Sequence, residues 1–71
     1  MPTQIIMDRS GDTRHHFKAA DAAAAEQRFR ELTQRGFTAV ALGENGAENR
    51  VLKRFDQDVE RTLFIPQLEG G

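Results

Sequence analysis

The 71-residue sequence contains no cysteine, so disulfides, thiolate metal ligands and a cysteine nucleophile are excluded. It also lacks an apolar run near the ~20 residues that a membrane span needs, and no signal-peptide hydrophobic region follows Met1. We therefore expect a cytoplasmic protein without a membrane partner. The two histidines and the scattered carboxylates do not show ligand spacing, so no metal site is predicted.

The sequence also lacks an excess of either charge. Ten Lys and Arg residues face eleven Asp and Glu residues, giving a net charge of -1. No overall field would therefore hold nucleic acid or an acidic membrane. Seventy-one residues form one domain at most, and such a domain buries only about 60% of its unfolded surface. There is no room for a cleft plus a scaffold, so the length favours a carrier, binding module or subunit over an enzyme.

The N-terminal part predicts a β-hairpin. Residues 3–7 form a short, partly β-branched segment that predicts the first strand. Residues 8–12 predict a turn in which Gly11 is free to take a positive φ, and residues 13–17 predict the returning strand. His15 and His16 are neighbours on this strand and point to opposite faces, so they cannot easily share a ligand. We expect one to pack against the following helix and the other to face solvent.

Residues 19–35 predict a helix because they are good helix formers without internal Pro or Gly. Asp21 is a plausible N-cap, and Gly36 ends the helix. One stripe combines small and bulky apolar side chains: Ala22, Ala25, Phe29 and Leu32. The opposite face carries Arg28, Arg30 and Arg35, which are candidates for phosphate contact. Glutamates interleave with these arginines and no aromatic platform accompanies them, so a solvated face is the preferred interpretation.

Three more strands follow at residues 37–42, 50–55 and 62–68. Between the first two, Asn45-Gly46 predicts a type I′ turn. The fourth strand is expected to place Val51, Lys53 and Phe55 on one face, and the fifth to alternate Leu63 and Ile65 with Phe64. The core aromatics are expected to be Phe29, Phe37, Phe55 and Phe64.

Pro66 interrupts the fifth strand. Because proline has no N–H, the chain at Pro66 should lie at a sheet edge or be leaving the sheet. We expect a domain over residues 1–68 and an extended, flexible tail over residues 69–71. The predicted fold class is α+β, with the order ββαβββ and one helix packed on a mixed sheet.

The last eight residues, Phe-Ile-Pro-Gln-Leu-Glu-Gly-Gly, together with this element order, resemble the ubiquitin-like β-grasp superfamily. Residue-level similarity covers about the last ten positions. It is nearest to the end of the small subunit of molybdopterin synthase, while the tight N-terminal hairpin is nearer to the thiamine sulfur carrier or ubiquitin. The resemblance implies a β-grasp fold and favours the superfamily over any one pathway within it.

The resemblance also implies a function at the C-terminal activation site, Gly70 and Gly71. An E1-like adenylating enzyme would supply ATP and magnesium and adenylate Gly71, for sulfur transfer or protein conjugation. The carrier itself would bind no cofactor and need no catalytic side chain, because residues without a Cβ keep the tail thin enough for a narrow channel. Pro66 and Leu68 would dock on the partner, and a target protein or synthase subunit would receive the product. The alternative is a non-conjugated β-grasp interaction module or accessory subunit of phage or bacterial origin.

Overall fold

The computed structural model describes residues 1–66. The predicted order ββαβββ is confirmed, with a short 3-10 helix added before the α-helix. The elements are β1 (Thr3–Asp8), β2 (Gly11–His16), a 3-10 helix (Ala19–Asp21), α1 (Ala22–Gln34), β3 (Phe37–Ala41), β4 (Arg50–Leu52) and β5 (Arg61–Pro66).

The five strands form one mixed sheet in the order β2-β1-β5-β3-β4. β1 and β5 are parallel, and the other neighbouring pairs are antiparallel. α1 packs on one face of this sheet and buries Ala25, Phe29 and Leu32. The molecule is therefore a small α+β protein with one helical layer on one sheet layer.

The hydrophobic core lies between α1 and the central strands. The Phe64 side chain on β5 is 0% exposed, and its ring meets that of Phe29 edge-to-face at a centroid distance of 5.8 Å. Of the four predicted core aromatics, these two are buried, whereas Phe37 and Phe55 are half-buried and pack against the core. Phe17 is a further buried aromatic, and its ring centroid lies 5.9 Å from that of Phe55. It was not predicted as a core residue because it follows a polar strand.

The boundaries of α1 follow the sequence signals only in part. The residues from position 19 form the 3-10 helix, and the α-helix begins at Ala22. Asp21 occupies the N-cap position, but its side chain makes no capping hydrogen bond. Gly36 follows the helix with a φ of 99°, a conformation that glycine adopts without steric cost, so its predicted role as the stop is confirmed.

The prediction of a fourth strand over residues 50–55 is wrong. β4 ends at Leu52, which pairs with Ala39 and faces the core, while Val51 lies on the other face. The chain bends at Lys53 and Arg54, and the Asp56 carboxylate then accepts a hydrogen bond from the Asp58 backbone N–H at 2.9 Å, forming a local turn. Phe55 therefore reaches the core from a loop rather than from a strand shared with Val51.

The expectation that the chain at Pro66 lies at an edge or is leaving the sheet is confirmed in its second form: β5 lies between β1 and β3, but its pairing with β1 ends before Pro66. Pro66 is tolerated because it is the final residue of β5. There it pairs with Phe37 of β3, while the pairing with β1 has already ended at Phe64. The predicted continuation to residue 68, with Leu68, and the tail with Gly70 and Gly71 lie outside the described residues.

The connection from β3 to β4 contains the predicted turn. Asn45 and Gly46 have φ angles of 54° and 85°, and the Ala47 N–H donates to the Glu44 carbonyl at 3.0 Å. These are the features of a type I′ turn. The turn lies within a longer loop between Ala41 and Arg50, so it does not join the two strands as a two-residue hairpin.

Gly43 is required by close packing inside this loop. Its N–H donates to the Asn49 side-chain oxygen at 2.7 Å, and a Cβ at this position would overlap the Ala47 carbonyl. We expect Gly43→Ala to lower the free energy of unfolding by about 1–3 kcal/mol, measured by urea denaturation. The control Glu44→Ala changes an exposed side chain in the same loop and should cost under about 0.5 kcal/mol. Equal stability of the two variants would contradict the packing argument.

Candidate functional site

The face of the sheet opposite α1, called here the open face, carries a row of aliphatic side chains. Val51 pairs with Val40, Val40 with Leu63, and Leu63 with Ile5. Directly paired residues share a face of the sheet, and successive residues alternate between faces. Since Phe64 faces α1, its neighbour Leu63 faces away, and so does the whole aliphatic row: Ile5, Leu63, Val40 and Val51.

The aliphatic row is partly accessible to solvent. Val51 is 62% exposed, and Ile65 beside the row is 40% exposed. Ile5 is buried by its neighbours although it lies on the same face. No helix among residues 1–66 packs on this side, because α1 contacts the opposite face. Contiguous exposed apolar surface of this kind is typical of sites for other macromolecules.

Polar groups border the aliphatic row at the β2 side. Arg14 is paired with Ile5 and Asp12 with Met7, so both project from the open face. An apolar centre with a charged border is the common anatomy of a protein-interaction surface. This arrangement can bind a partner by desolvation and orient it by charge. At the start of β1 on this face, the Thr3 hydroxyl and Nδ1 of His16 are in hydrogen-bond contact at 2.7 Å, and Thr3 is buried.

Of the predicted site residues, the structure describes Pro66. Pro66 is exposed at the end of β5, but its pairing with Phe37 places it on the helix side of the sheet. Leu68, Gly70 and Gly71 lie outside the part of the chain that the structure describes. Sequence reasoning missed the aliphatic row, although the central strands gave a signal. Ile5-Ile6 and Leu63-Phe64-Ile65 are apolar on successive residues, which indicates strands with two apolar faces.

A polar cluster ties α1 to the sheet on the other face. The Gln4 side chain is 1% exposed; its amide nitrogen donates to the Ala25 carbonyl at 2.9 Å, and its oxygen accepts from the Arg28 guanidinium at 2.9 Å. His15 pairs with Gln4 and therefore lies on the helix side, whereas His16 is exposed on the open face. The predicted separation of the two histidines is confirmed.

The environment of His15 gives stability a pH dependence. Desolvation, followed by the positive charge of Arg28, lowers the pKa of the His15 imidazole below its ordinary value of 6.5. The unfolded chain then binds a proton more readily than the folded chain. Stability should therefore fall as the pH drops below about 6.5, and should level off below the lowered pKa of the folded state.

We expect His15→Gln to flatten this part of the curve of unfolding free energy against pH, measured by urea denaturation between neutral and mildly acidic pH. His16→Gln is the matched control, because it alters the neighbouring residue and retains His15. That variant should keep the slope of the parent protein. An unchanged slope in His15→Gln would show that another group causes the dependence.

The helix arginines considered for phosphate binding have partners within the protein. Arg30 forms an ion pair with Glu26 at 3.3 Å, one helical turn away. Arg35 lies over the Phe37 ring at 5.9 Å, and Arg28 binds Gln4. Arg30 and Arg35 are exposed as predicted, but the placement of Arg28 on the solvated face is wrong: Arg28 is half-buried, because it reaches the buried Gln4 amide on the sheet. This arrangement favours a solvated helix face over a phosphate cluster.

Within residues 1–66, no group of three or more His, Cys, Asp or Glu side chains is arranged to hold a metal ion. No helix among these residues has the length and apolar character needed to cross a membrane. Comparison of the chain with protein-family models, curated proteins and solved structures gives no significant match. The topology of residues 1–66 defines the class of the protein: a small α+β protein with a five-stranded mixed sheet, one α-helix and an open apolar sheet face.

Proposed function

We propose that this protein is a ubiquitin-like β-grasp carrier or modifier. In this proposal an E1-like enzyme adenylates Gly71 with its own ATP and magnesium, for sulfur transfer or protein conjugation. The observation that carries the proposal is the central position of β5, parallel to β1 and followed in the sequence by Gly70-Gly71. One helix on this mixed sheet is compatible with a β-grasp-like layout.

The location of the core supports a working role for the residues after β5. Phe64 is the last core residue among those described, and both Ile65 and Pro66 are exposed. The described core thus does not depend on Gly70 or Gly71. Residues without a Cβ suit entry into a narrow enzyme channel, where positioning and electrostatics come from the partner.

The aliphatic row supplies a docking surface for the activating enzyme in this proposal. Val51 is the most exposed member of the row, so burial on a partner would remove apolar area from water. A charged side chain at that position would be left desolvated in the complex. The two parts have separate tasks: the row binds, and Gly71 reacts.

The test is incubation of the purified protein with ATP, magnesium and an E1-like enzyme encoded in the same genome, followed by intact-mass measurement. We expect an adenylate, or the exchange of one oxygen for sulfur when a sulfur donor is added. Deletion of Gly71 should abolish the product. Val51→Asp should slow its formation without loss of fold, whereas Gln57→Asp, in an exposed loop away from the row, should react like the parent. An unchanged mass with every E1-like enzyme of that genome would refute the proposal.

A second candidate is a β-grasp interaction module that is not conjugated. The aliphatic row favours it, because binding through this surface does not require Gly71. Calorimetric titration with products of neighbouring genes separates the two candidates. A module would bind equally well after deletion of Gly70 and Gly71, would lose affinity in Val51→Asp, and would never form an adenylate.

A further inference from the structure

Among residues 1–66, no strand lies beside the outer edge of β2. β2 is the first strand of the described sheet, and its one partner there is β1. In an antiparallel pair, a residue directs both its N–H and its C=O toward the same side, and successive residues alternate. The Phe17 N–H donates to the Pro2 carbonyl at 3.0 Å. Phe17 therefore directs its backbone groups toward the β1 side, and so does every second residue before it along β2. Thr13 and His15 therefore bond to β1, while Asp12, Arg14 and His16 direct their backbone groups outward.

We propose that this edge pairs with β2 of a second copy of the chain. The two strands run antiparallel around a two-fold axis at Thr13, so that the sheets of both copies become continuous. In this register Asp12 of each copy lies opposite Arg14 of the other. These are outward-directed residues, and each such pair exchanges two backbone hydrogen bonds. Thr13 faces its own symmetry mate.

Charge selects this register. Asp12 and Arg14 both project from the open face, and neither forms an ion pair within residues 1–66. Opposite charges directly across two strands attract, and like charges repel. An axis at Arg14 would place two arginines face to face, and an axis at Asp12 two aspartates. An axis between residues would oppose inward-directed and outward-directed backbone groups. Of the axes centred on residues 12–14, the one at Thr13 satisfies both the charges and the hydrogen bonds.

The charges of Asp12 and Arg14 also identify the strand that would pair with this edge. Charged residues on edge strands usually prevent pairing with other chains. Here the alternation of Asp12 and Arg14 is complementary to itself when reversed, so a second copy is the strand that it fits. Strand pairing alone buries little surface, so the association is weak and depends on concentration. Pairing joins the open faces of the two copies into one surface, with Ile5 and Met7 flanking the new contact.

The first test uses the absence of native cysteine. Opposed residues in a non-hydrogen-bonded antiparallel pair have Cα atoms about 4.5 Å apart, within the range that a disulfide spans. Thr13→Cys should therefore form a covalent dimer rapidly under mild oxidation. Gln57→Cys, at an exposed loop position, is the control for random collision. Cross-linking of Thr13→Cys no faster than the control would overturn the proposal.

The second test reverses the charges, with self-association measured by sedimentation equilibrium at high protein concentration. Asp12→Arg or Arg14→Asp alone should raise the dissociation constant by about 30-fold, since two attractive pairs become repulsive. The double variant Asp12→Arg/Arg14→Asp should restore dimerisation. An axis at Arg14 predicts no restoration, and a parent protein that stays monomeric at millimolar concentration excludes the pairing. Capture of a strand from another protein with no self-association would also overturn it.

Discussion

Phe64→Ala is expected to remove most of the stability of this domain. Phe64 has no exposed surface and packs edge-to-face on Phe29 beneath α1. Deletion of a buried aromatic ring costs about 3–5 kcal/mol, because the transfer free energy is lost and a cavity remains. A chain of this length has a total stability of about 4–10 kcal/mol. Circular dichroism during thermal and urea denaturation should show a largely unfolded variant or a much lower midpoint.

The matched control for Phe64 is the adjacent Ile65 on the opposite face of β5. Ile65 is 40% exposed, so Ile65→Ala should cost less than about 1 kcal/mol. The two variants share the strand and differ in the face that they alter. Comparable losses from both would mean that β5 is not covered on one side only, contrary to the arrangement described.

Gln4→Ala is expected to have the second largest effect. The buried Gln4 amide joins β1 to α1 through Ala25 and accepts a hydrogen bond from Arg28. Truncation leaves a cavity and removes both bonds, so we expect a loss of about 2–4 kcal/mol in urea denaturation. Gln4→Leu restores most of the volume and isolates the polar part, for which we expect about 1–2 kcal/mol.

Gln27 provides the control for this pair of variants. It makes one exposed side-chain hydrogen bond, to Glu31 on the same helix. Gln27→Ala should change the free energy of unfolding by no more than about 0.5 kcal/mol. If Gln4→Leu were as stable as the parent protein, the amide would not be a tie between sheet and helix, and its burial would need another explanation.

Local signals predicted the parts of the fold that depend on local chemistry. The N-terminal hairpin closes as predicted, because the Asp8 carboxylate accepts from the Ser10 N–H at 2.7 Å and from its hydroxyl at 2.5 Å. The helix ends before Gly36 as predicted, because glycine adopts the positive φ found there without steric cost. The fourth strand was predicted too long because the alternation of Val51, Lys53 and Phe55 continues to residue 55, whereas the chain already bends at Lys53 and Arg54.

Features that depend on distant residues were not predictable from the pattern. The parallel pairing of β1 with β5 joins the two ends of the described chain, and no local signal specifies a partner so far along the sequence. A glutamine within a strand is ordinarily a surface residue, and only the helix packed above Gln4 makes it a buried tie. Successive apolar residues indicate that the central strands have two apolar faces, but only the register places Val51, Val40, Leu63 and Ile5 side by side.

The measurement that tests the central claim most directly is the mass of the C-terminal peptide of the protein isolated from its native cells. The proposal predicts a peptide that ends at Gly71 and carries a thiocarboxylate, or Gly71 joined through an isopeptide bond to a lysine of another protein. A peptide that continues beyond Gly71, or a Gly71 carboxylate that is unmodified under every growth condition, would contradict the carrier function and leave the open face as the site to explain.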